Sequence, residues 1–438
     1  AEITHAAATG IAIQYPRADF PGPAEAVVSM PNISSTSCCR QEVQVRKSLY
    51  LPISDEVGEK MYRKCDHIGN GKPKSREGTE TMNITNHLAA PSRRKPRPAD
   101  ESALGFGKIF SDHMFLMEYG QERGWQNARI VPYGPLTLDP AAMALHYGQE
   151  IFEGLKAYRG AGGAVCLFRP LMNFERMNRS AARLCMPEIP PDDQLQAVSA
   201  LLRADRDWIP SSRGTSLYIR PFMIATEAGL GVRPAAEYLY LIITGPVGNY
   251  YSRGFEPVRI LVEQRYVRAA RGGVGEAKAA GNYAASLMAA RDAKEKGFDQ
   301  VLWLDAGRQG CIEEVGTMNI FFVLGGEIVT PSLSGSILPG VTRDSVLRIL
   351  RDQGLKVSER AITIDEVRSS AGDGSLREAF GTGTAAVISP VGMLSYRGEE
   401  IPINGGQVGN VSQKLLDEIL GMQYGEIPDR YGWVHKVS

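Results

Sequence analysis

Lys278 stands in the stretch Gly275-Glu276-Ala277-Lys278-Ala279-Ala280-Gly281-Asn282-Tyr283, and an acidic pair opens Glu313-Glu314-Val315-Gly316-Thr317-Met318-Asn319. A lysine amine among small and apolar neighbours is desolvated, sheds its proton nearer neutral pH, and becomes a nucleophile able to hold an aldehyde cofactor as a Schiff base. Pyridoxal phosphate is the commonest such aldehyde. It is an electron sink only while its ring nitrogen stays protonated, which needs an acidic side chain beside that nitrogen. Glu314 is the candidate. Taken singly, Lys278 and Glu314 also read as solvated loop side chains; the surrounding stretches are what point to this chemistry.

A phosphate group needs several converging backbone N–H donors, which helix N-termini and glycine-rich turns supply. Two segments have that form. Leu338-Pro339-Gly340-Val341-Thr342-Arg343-Asp344 leads into a helix bearing Val346, Leu347, Ile349 and Leu350, and Gly381-Thr382-Gly383-Thr384-Ala385 is a second donor-rich loop. By themselves they are also an ordinary helix cap and a plain turn. The glycines ahead of Lys278 do not make a nucleotide-binding phosphate loop, because no Ser or Thr follows the lysine.

The elements that must position these residues follow from periodicity. Strand-like runs cover 165–168, 216–221 and 238–243, and the stretch 172–184 carries Phe174, Met177, Ala181 and Leu184 at helical spacing. A second domain opens with a strand at 258–262, and Lys278 lies just ahead of a helix over 282–296 that Gly297 is suited to end. A buried strand at 301–304 and a hairpin of 319–323 with 327–330 around Gly325-Gly326 make a mostly β layer. The expected class is α+β, with a mobile N-terminal extension over 1–100, a small α+β domain over 101–244, an interdomain loop over 245–256 and a large cofactor-binding domain over 257–438. The extension scatters Pro, Ser, Thr and Asn, carries the basic clusters Lys72-Pro73-Lys74 and Arg93-Arg94-Lys95-Pro96-Arg97, and shows no sustained apolar period and no targeting signal.

Composition narrows the function classes. A chain of 438 residues calls for two domains, and its 49 Lys plus Arg balance 49 Asp plus Glu, so no charge excess recommends a nucleic-acid or membrane-surface partner. No apolar run approaches the roughly 18 residues that span a bilayer. The six cysteines form no CxxC pair and no zinc spacing with the six histidines. They read as reduced thiols, which points to a cytoplasmic protein with no metal site.

Lys278-Ala279-Ala280-Gly281-Asn282-Tyr283-Ala284-Ala285-Ser286-Leu287, then Asp299-Gln300-Val301-Leu302-Trp303-Leu304-Asp305, then the block from Glu313 to Phe322, resemble in that order the branched-chain amino acid aminotransferases, which are fold-type IV pyridoxal-phosphate enzymes. The likeness runs from about Gly105 to the C-terminus. It implies that Lys278 is both cofactor anchor and proton carrier, that Glu314 meets the ring nitrogen and Tyr283 the phenolic oxygen, and that Leu338 and Thr317 pack on the ring. It assigns the cofactor phosphate to the N–H groups of Val341 and Thr342, the Thr384 hydroxyl and the Arg176 guanidinium. Tyr147, Phe152 and Tyr218 would surround an apolar side-chain pocket, and the N–H groups of Thr384 and Ala385 would receive the substrate carboxylate. Arg220 would meet the distal carboxylate of glutamate or order the tyrosines. Leu230 and Val232 lie on a loop that in the family reaches the neighbouring subunit's pocket, which implies at least a homodimer.

The reaction so implied is a ping-pong transamination of L-leucine, L-isoleucine and L-valine with 2-oxoglutarate, giving branched-chain 2-oxo acids and L-glutamate. D-Amino acid aminotransferase and aminodeoxychorismate lyase use similar lysine and glutamate positions, but the wording of 314–319 and Tyr218-Ile219-Arg220 favours the branched-chain enzymes. A non-catalytic cofactor-binding protein is disfavoured by intact Lys278, Glu314, Arg176 and Thr384. A CxxC that some relatives carry near the C-terminus is replaced here by Ala386-Val387-Ile388-Ser389. His146 and Glu153 fit no role at this level.

Overall fold

Two nine-stranded sheets organise the described residues, 82–248, 250, 254–307 and 310–437, of the computed structural model. The first contains β1 (Thr85–Asn86), β2 (His113–Gly120), β3 (Gly124–Pro132), β4 (Glu150–Phe152), β5 (Leu155–Arg159), β6 (Val165–Phe168), β7 (Ser216–Ala225) and β8 (Glu237–Val247). They run in the order β1-β3-β2-β8-β7-β5-β6, with β4 on β7. The short helix α1 (Met143–Tyr147) precedes β4, while α2 (Pro170–Arg183) and α3 (Pro191–Ala204) follow β6, each with proline in its first turn, where the missing N–H is no loss. Phe174, Met177 and Ala181 of α2 share a face and pack with Phe115, Ile130, Leu217 and Tyr240 of the sheet.

The second sheet contains β9 (Val258–Val262), β10 (Gln300–Leu304), β11 (Ile312–Val315), β12 (Asn319–Leu324), β13 (Glu327–Thr330), β14 (Val357–Glu359), β15 (Leu376–Gly383), β16 (Val387–Tyr396) and β17 (Glu399–Pro402). Their order is β11-β10-β9-β16-β15-β12-β13-β14, with β17 on β16. Strand β12 shows why this layer reads as a continuous apolar run. Phe321 stacks on Phe380 under the helix α5 (Val341–Asp352), whereas its neighbours Ile320 and Phe322 pack on the other side with Ile364 and Val367 of α6 (Ile364–Gly372), so both faces are buried. Helix α4 (Ala280–Glu295) starts two residues after Lys278, and Gly297, at φ +81°, closes it as expected. No helix among the described residues is long and apolar enough to cross a membrane.

Three expectations are corrected. The extension does not reach residue 100: residues 82–100 are docked on the first sheet, where β1 pairs with β3, the Ala89 N–H donates to His113 Nε2 at 2.9 Å and the Lys95 N–H to Asp112 Oδ1 at 2.8 Å. Besides these contacts Met82 and Ile84 pack against the apolar core, too few positions to show a hydrophobic period; residues 1–81 lie outside the described residues. The large domain does not keep its C-terminus, because β18 (Val434–Val437) crosses back to pair with β6 of the first sheet. Finally, β8 continues to Val247, into the expected interdomain loop, of which Asn249 and residues 251–253 lie outside the described residues.

Removing residues 82–100 leaves the buried His113 ring and the buried Asp112 carboxylate each short of a partner, at about 1–3 kcal/mol apiece. A chain beginning at Glu101 is expected to melt at least about 3 °C below one beginning at Met82. Equal melting temperatures would show that the segment contributes nothing to the fold.

Candidate active site

A cavity of about 590 Å³ is lined from both sheets. Its first element is Lys278, whose backbone is stitched to elements of the first sheet's layer: its N–H donates to Ser180 Oγ on α2 at 2.9 Å, and its carbonyl accepts from the Phe152 N–H at 3.1 Å. The side chain is thereby aimed at Tyr283, one turn into α4, where Nζ donates to the phenol oxygen at 2.8 Å. The amine also lies 4.9 Å from the Phe152 ring centroid. A half-buried amine beside a phenol and aromatic faces is placed as a nucleophile rather than as a surface charge.

Glu313 and Glu314 are successive residues of β11 and have different partners. Glu314, 3 % exposed, pairs with Arg268 (Nε to Oε2 2.9 Å, Nη2 to Oε1 3.1 Å) and accepts the Leu338 N–H at 2.7 Å. Burial pushes its carboxyl above the usual range, against the pull of Arg268, the Leu338 N–H and Lys278. Glu314 does not itself line the cavity, although Leu338 and Thr317 do. Glu313 instead accepts from the Ser336 hydroxyl.

Arg176, on α2, is 4 % exposed and reaches the cavity from below a buried carboxylate: Glu153 takes its Nε at 2.7 Å and its Nη2 at 2.9 Å, and Nη1 donates to the Pro339 carbonyl at 3.2 Å. Burial alone would lower the guanidinium's pKa, but Glu153 outweighs it and the net direction is upward. Glu153, without a role in the sequence, is the group that fixes this arginine. Losing one member of such a buried pair costs about 3–5 kcal/mol.

The fit to a phosphate can be judged beside Arg176. Helix α5 begins at Val341 with Gly340 as its cap and no side chain bonded to its first-turn N–H groups. A Cβ on Gly340 would sit 2.1 Å from Asn319 Oδ1, and Asn319 Nδ2 holds the Leu338 carbonyl at 2.9 Å, so glycine and asparagine together fix the loop ahead of the helix. The Thr382 hydroxyl, also on the cavity wall, is buried without a hydrogen-bond partner. Uncapped helix donors, a guanidinium and an orphan hydroxyl suit an anionic group, and the aromatic and apolar wall beside Lys278 suits a flat ring.

Phe152, Tyr218, Arg220, Thr384 and Ala385 line the cavity, joined by Phe106 and Tyr250. Phe106 stands edge-on to Tyr218 at 4.9 Å and to Tyr250 at 5.3 Å. A Cβ on Gly154 would lie 2.1 Å from the Tyr218 hydroxyl, so only glycine leaves room for that ring. Lys156, paired across β5 and β7 with Tyr218, donates its Nζ to the Ala385 carbonyl at 2.6 Å; burial lowers its pKa to about 8. Tyr147, Leu230 and Val232 are not brought into this cavity. They are 40 %, 66 % and 85 % exposed, and the Tyr147 hydroxyl donates to the Leu230 carbonyl. Sequence reasoning missed Glu153, Lys156, Arg268 and Phe106. Their only signal was position, since Glu153 and Lys156 flank Gly154 in the block that supplies Phe152.

Residues 150–393 match the family model described as Amino-transferase class IV. The chain is 55 % identical over 347 residues to branched-chain-amino-acid aminotransferase 2 of Bacillus subtilis (strain 168), across 79 % of this chain and 95 % of that protein. The solved structure of the T.th. branched-chain amino acid aminotransferase with pyridoxamine 5'-phosphate is similar at a TM-score of 0.62 and 30 % identity, covering 74 % of this chain and 98 % of that one. The branched-chain aminotransferase of the thermophilic archaeon Thermoproteus uzoniensis, solved with norvaline, also gives 0.62, at 28 % identity over 74 % of this chain and 100 % of that one. With two sheets meeting at a lysine-bearing, anion-suited cavity and these likenesses covering nearly all of each relative, the chain belongs to the class IV aminotransferases and, within them, to the branched-chain-amino-acid aminotransferases.

Proposed function

We propose that this aminotransferase uses pyridoxal 5'-phosphate to move the amino group of L-leucine, L-isoleucine and L-valine to 2-oxoglutarate in a ping-pong cycle, yielding the branched-chain 2-oxo acids and L-glutamate. The observation that carries the reading is the Lys278 amine, held by Tyr283 in a cavity with anion donors on one side and aromatic walls on the other. The cofactor, when bound, supplies an aldehyde and an electron-withdrawing ring. Lys278 anchors it and takes the proton from the donor's α-carbon. Glu314, backed by Arg268, provides the acid for the ring nitrogen, and Tyr283 the bond to the phenolic oxygen. Val341, Thr342, Thr384 and Arg176 hold the phosphate, while Leu338 and Thr317 pack on the ring. Phe152 and Tyr218 exclude water around the apolar side chain, Thr384 and Ala385 take the α-carboxylate, and Arg220 takes the second carboxylate of glutamate. Exposed Tyr147, Leu230 and Val232 complete the pocket of a second copy in a homodimer.

Initial rates with the three branched-chain amino acids and 2-oxoglutarate, set against D-alanine and L-aspartate, test this reading. The branched-chain donors should be far faster; faster turnover of D-alanine would move the enzyme to the D-amino acid aminotransferases.

Lys156 gives the reading a pH dependence. Burial lowers its pKa from 10.5 to about 8, so its charge, which holds the Ala385 carbonyl and with it the carboxylate-binding turn, is lost as pH rises through about 8. The KM for 4-methyl-2-oxopentanoate, whose carboxylate stays ionised throughout, is expected to rise over that range while kcat changes less. Stability moves the other way: the unfolded chain keeps this proton up to 10.5, so between about 8 and 10.5 the lysine makes the fold more stable as pH rises. Lys156→Met should have a high KM at every pH and lose the rise. A flat KM profile in the native enzyme would refute the role.

A further inference from the structure

Glu150 is the only carboxylate among the described residues that line the cavity. The ladder of β4 on β7 sets Glu150 opposite Ile224 and Phe152 opposite Phe222, so Glu150, Phe152, Phe222 and Arg220 all project from the same face of the sheet. Arg220 is the charge that this carboxylate answers. Its guanidinium lies 4.7 Å from the Phe152 ring centroid, Nη2 donates to the Tyr218 hydroxyl at 3.2 Å, and Nε is buried without a hydrogen-bond partner. The buried arginines Arg176 and Arg268 each own a carboxylate in direct contact, Arg176 with Glu153 and Arg268 with Glu314. Arg220 makes no such contact among the described residues; burial raises the half-buried Glu150 carboxyl above its usual range, and Arg220 is the charge that opposes that shift.

We infer that Glu150 is a specificity-determining residue, balancing Arg220 while an apolar side chain fills the pocket and opposing the entry of a second carboxylate. The inference rests on Arg220 being the receptor for the distal carboxylate of glutamate and 2-oxoglutarate. An uncompensated guanidinium in an apolar pocket is costly, so the Glu150 charge favours the state with leucine bound. With glutamate bound, two carboxylates share one guanidinium, and their repulsion inside the protein is not screened as it is in water. The two kinds of substrate therefore feel Glu150 with opposite sign. Because the cycle must accept both in turn, this side chain sets the ratio between them.

Glu150→Gln keeps the shape and removes the charge. The probes are glutarate and 4-methylpentanoate, which carry the two side chains without an amino group, titrated into the holoenzyme and followed by the cofactor's absorbance. The ratio of their dissociation constants is expected to move about tenfold toward glutarate, the factor for unit charges roughly 10 Å apart at an effective dielectric of about 20. The ratio of kcat/KM for 2-oxoglutarate over 4-methyl-2-oxopentanoate should move the same way. Glu150→Ser, with a different shape, should shift both ratios in the same direction, which separates charge from a folding defect. Ratios that stay where they are, or that move toward 4-methylpentanoate, overturn the inference. Arg220→Met separates it from the reading beneath: glutarate binding unaffected by that variant overturns the Arg220 assignment itself, whereas glutarate binding lost there with the ratio unmoved in Glu150→Gln overturns the role of Glu150 alone.

Discussion

Lys278→Ala is expected to remain folded, to lose the visible absorbance of lysine-bound cofactor, and to lose turnover by about 10⁴-fold or more. The fold should tolerate the change because the contacts that tie this residue to the first sheet's layer are made by its backbone, to Ser180 Oγ and from the Phe152 N–H, and alanine keeps both. What disappears is the amine, the group to which the proposed function gives the roles of nucleophile and proton carrier. Melting curves and leucine-dependent turnover measured on the same preparations check this. A folded variant with turnover near that of the native enzyme would remove Lys278 from the chemistry.

Glu314→Gln is expected to keep the cofactor but to slow the half-reaction with leucine by about 10- to 150-fold. That is the kinetic equivalent of losing a hydrogen bond to a charged group, about 1.5–3 kcal/mol. A neutral amide still accepts from the Leu338 N–H and from Arg268, so the local structure has partners, but it cannot keep a pyridine nitrogen protonated. Glu313→Gln is the matched control, because Glu313 is occupied with the Ser336 hydroxyl. Stopped-flow single turnovers with each variant give the answer. A slow Glu313→Gln beside a normal Glu314→Gln would exchange the two roles.

Local chemistry was legible in the sequence, and long-range pairing was not. The helix around Phe174 follows from apolar period, the strand around Phe321 from a continuous apolar run, and the end of the helix after Lys278 at Gly297 and the hairpin at Gly325-Gly326 from turn chemistry, because each depends on neighbours within a few positions. The donor-rich form of the segments 338–344 and 381–385 was also legible, while the phosphate roles of Val341 and Thr342 rested on family resemblance. Arg176, Tyr283 and Tyr218 rested on it as well, since an arginine on a helix or a tyrosine in a domain has no local mark of its partner. The groups that hold the site in place were invisible for the same reason. Glu153 meets Arg176 across 23 positions, Arg268 meets Glu314 across 46, and Lys156 meets the Ala385 carbonyl across 229. Residues 82–100 and β18 escaped because they join the first sheet mainly through backbone bonds and single polar contacts, and the apolar side chains they pack on the cores, Met82, Ile84, Val434 and Val437, are too few to show a period.

Borohydride reduction of the holoenzyme followed by peptide mass mapping tests, without reliance on turnover, whether Lys278 anchors the cofactor. Reduction fixes the cofactor to whichever amine holds it. A phosphopyridoxyl group on the peptide containing Lys278 is the expected result. Its presence instead on another lysine, above all the buried and cavity-adjacent Lys156, or its absence from every peptide of a cofactor-loaded sample, would contradict the assignment.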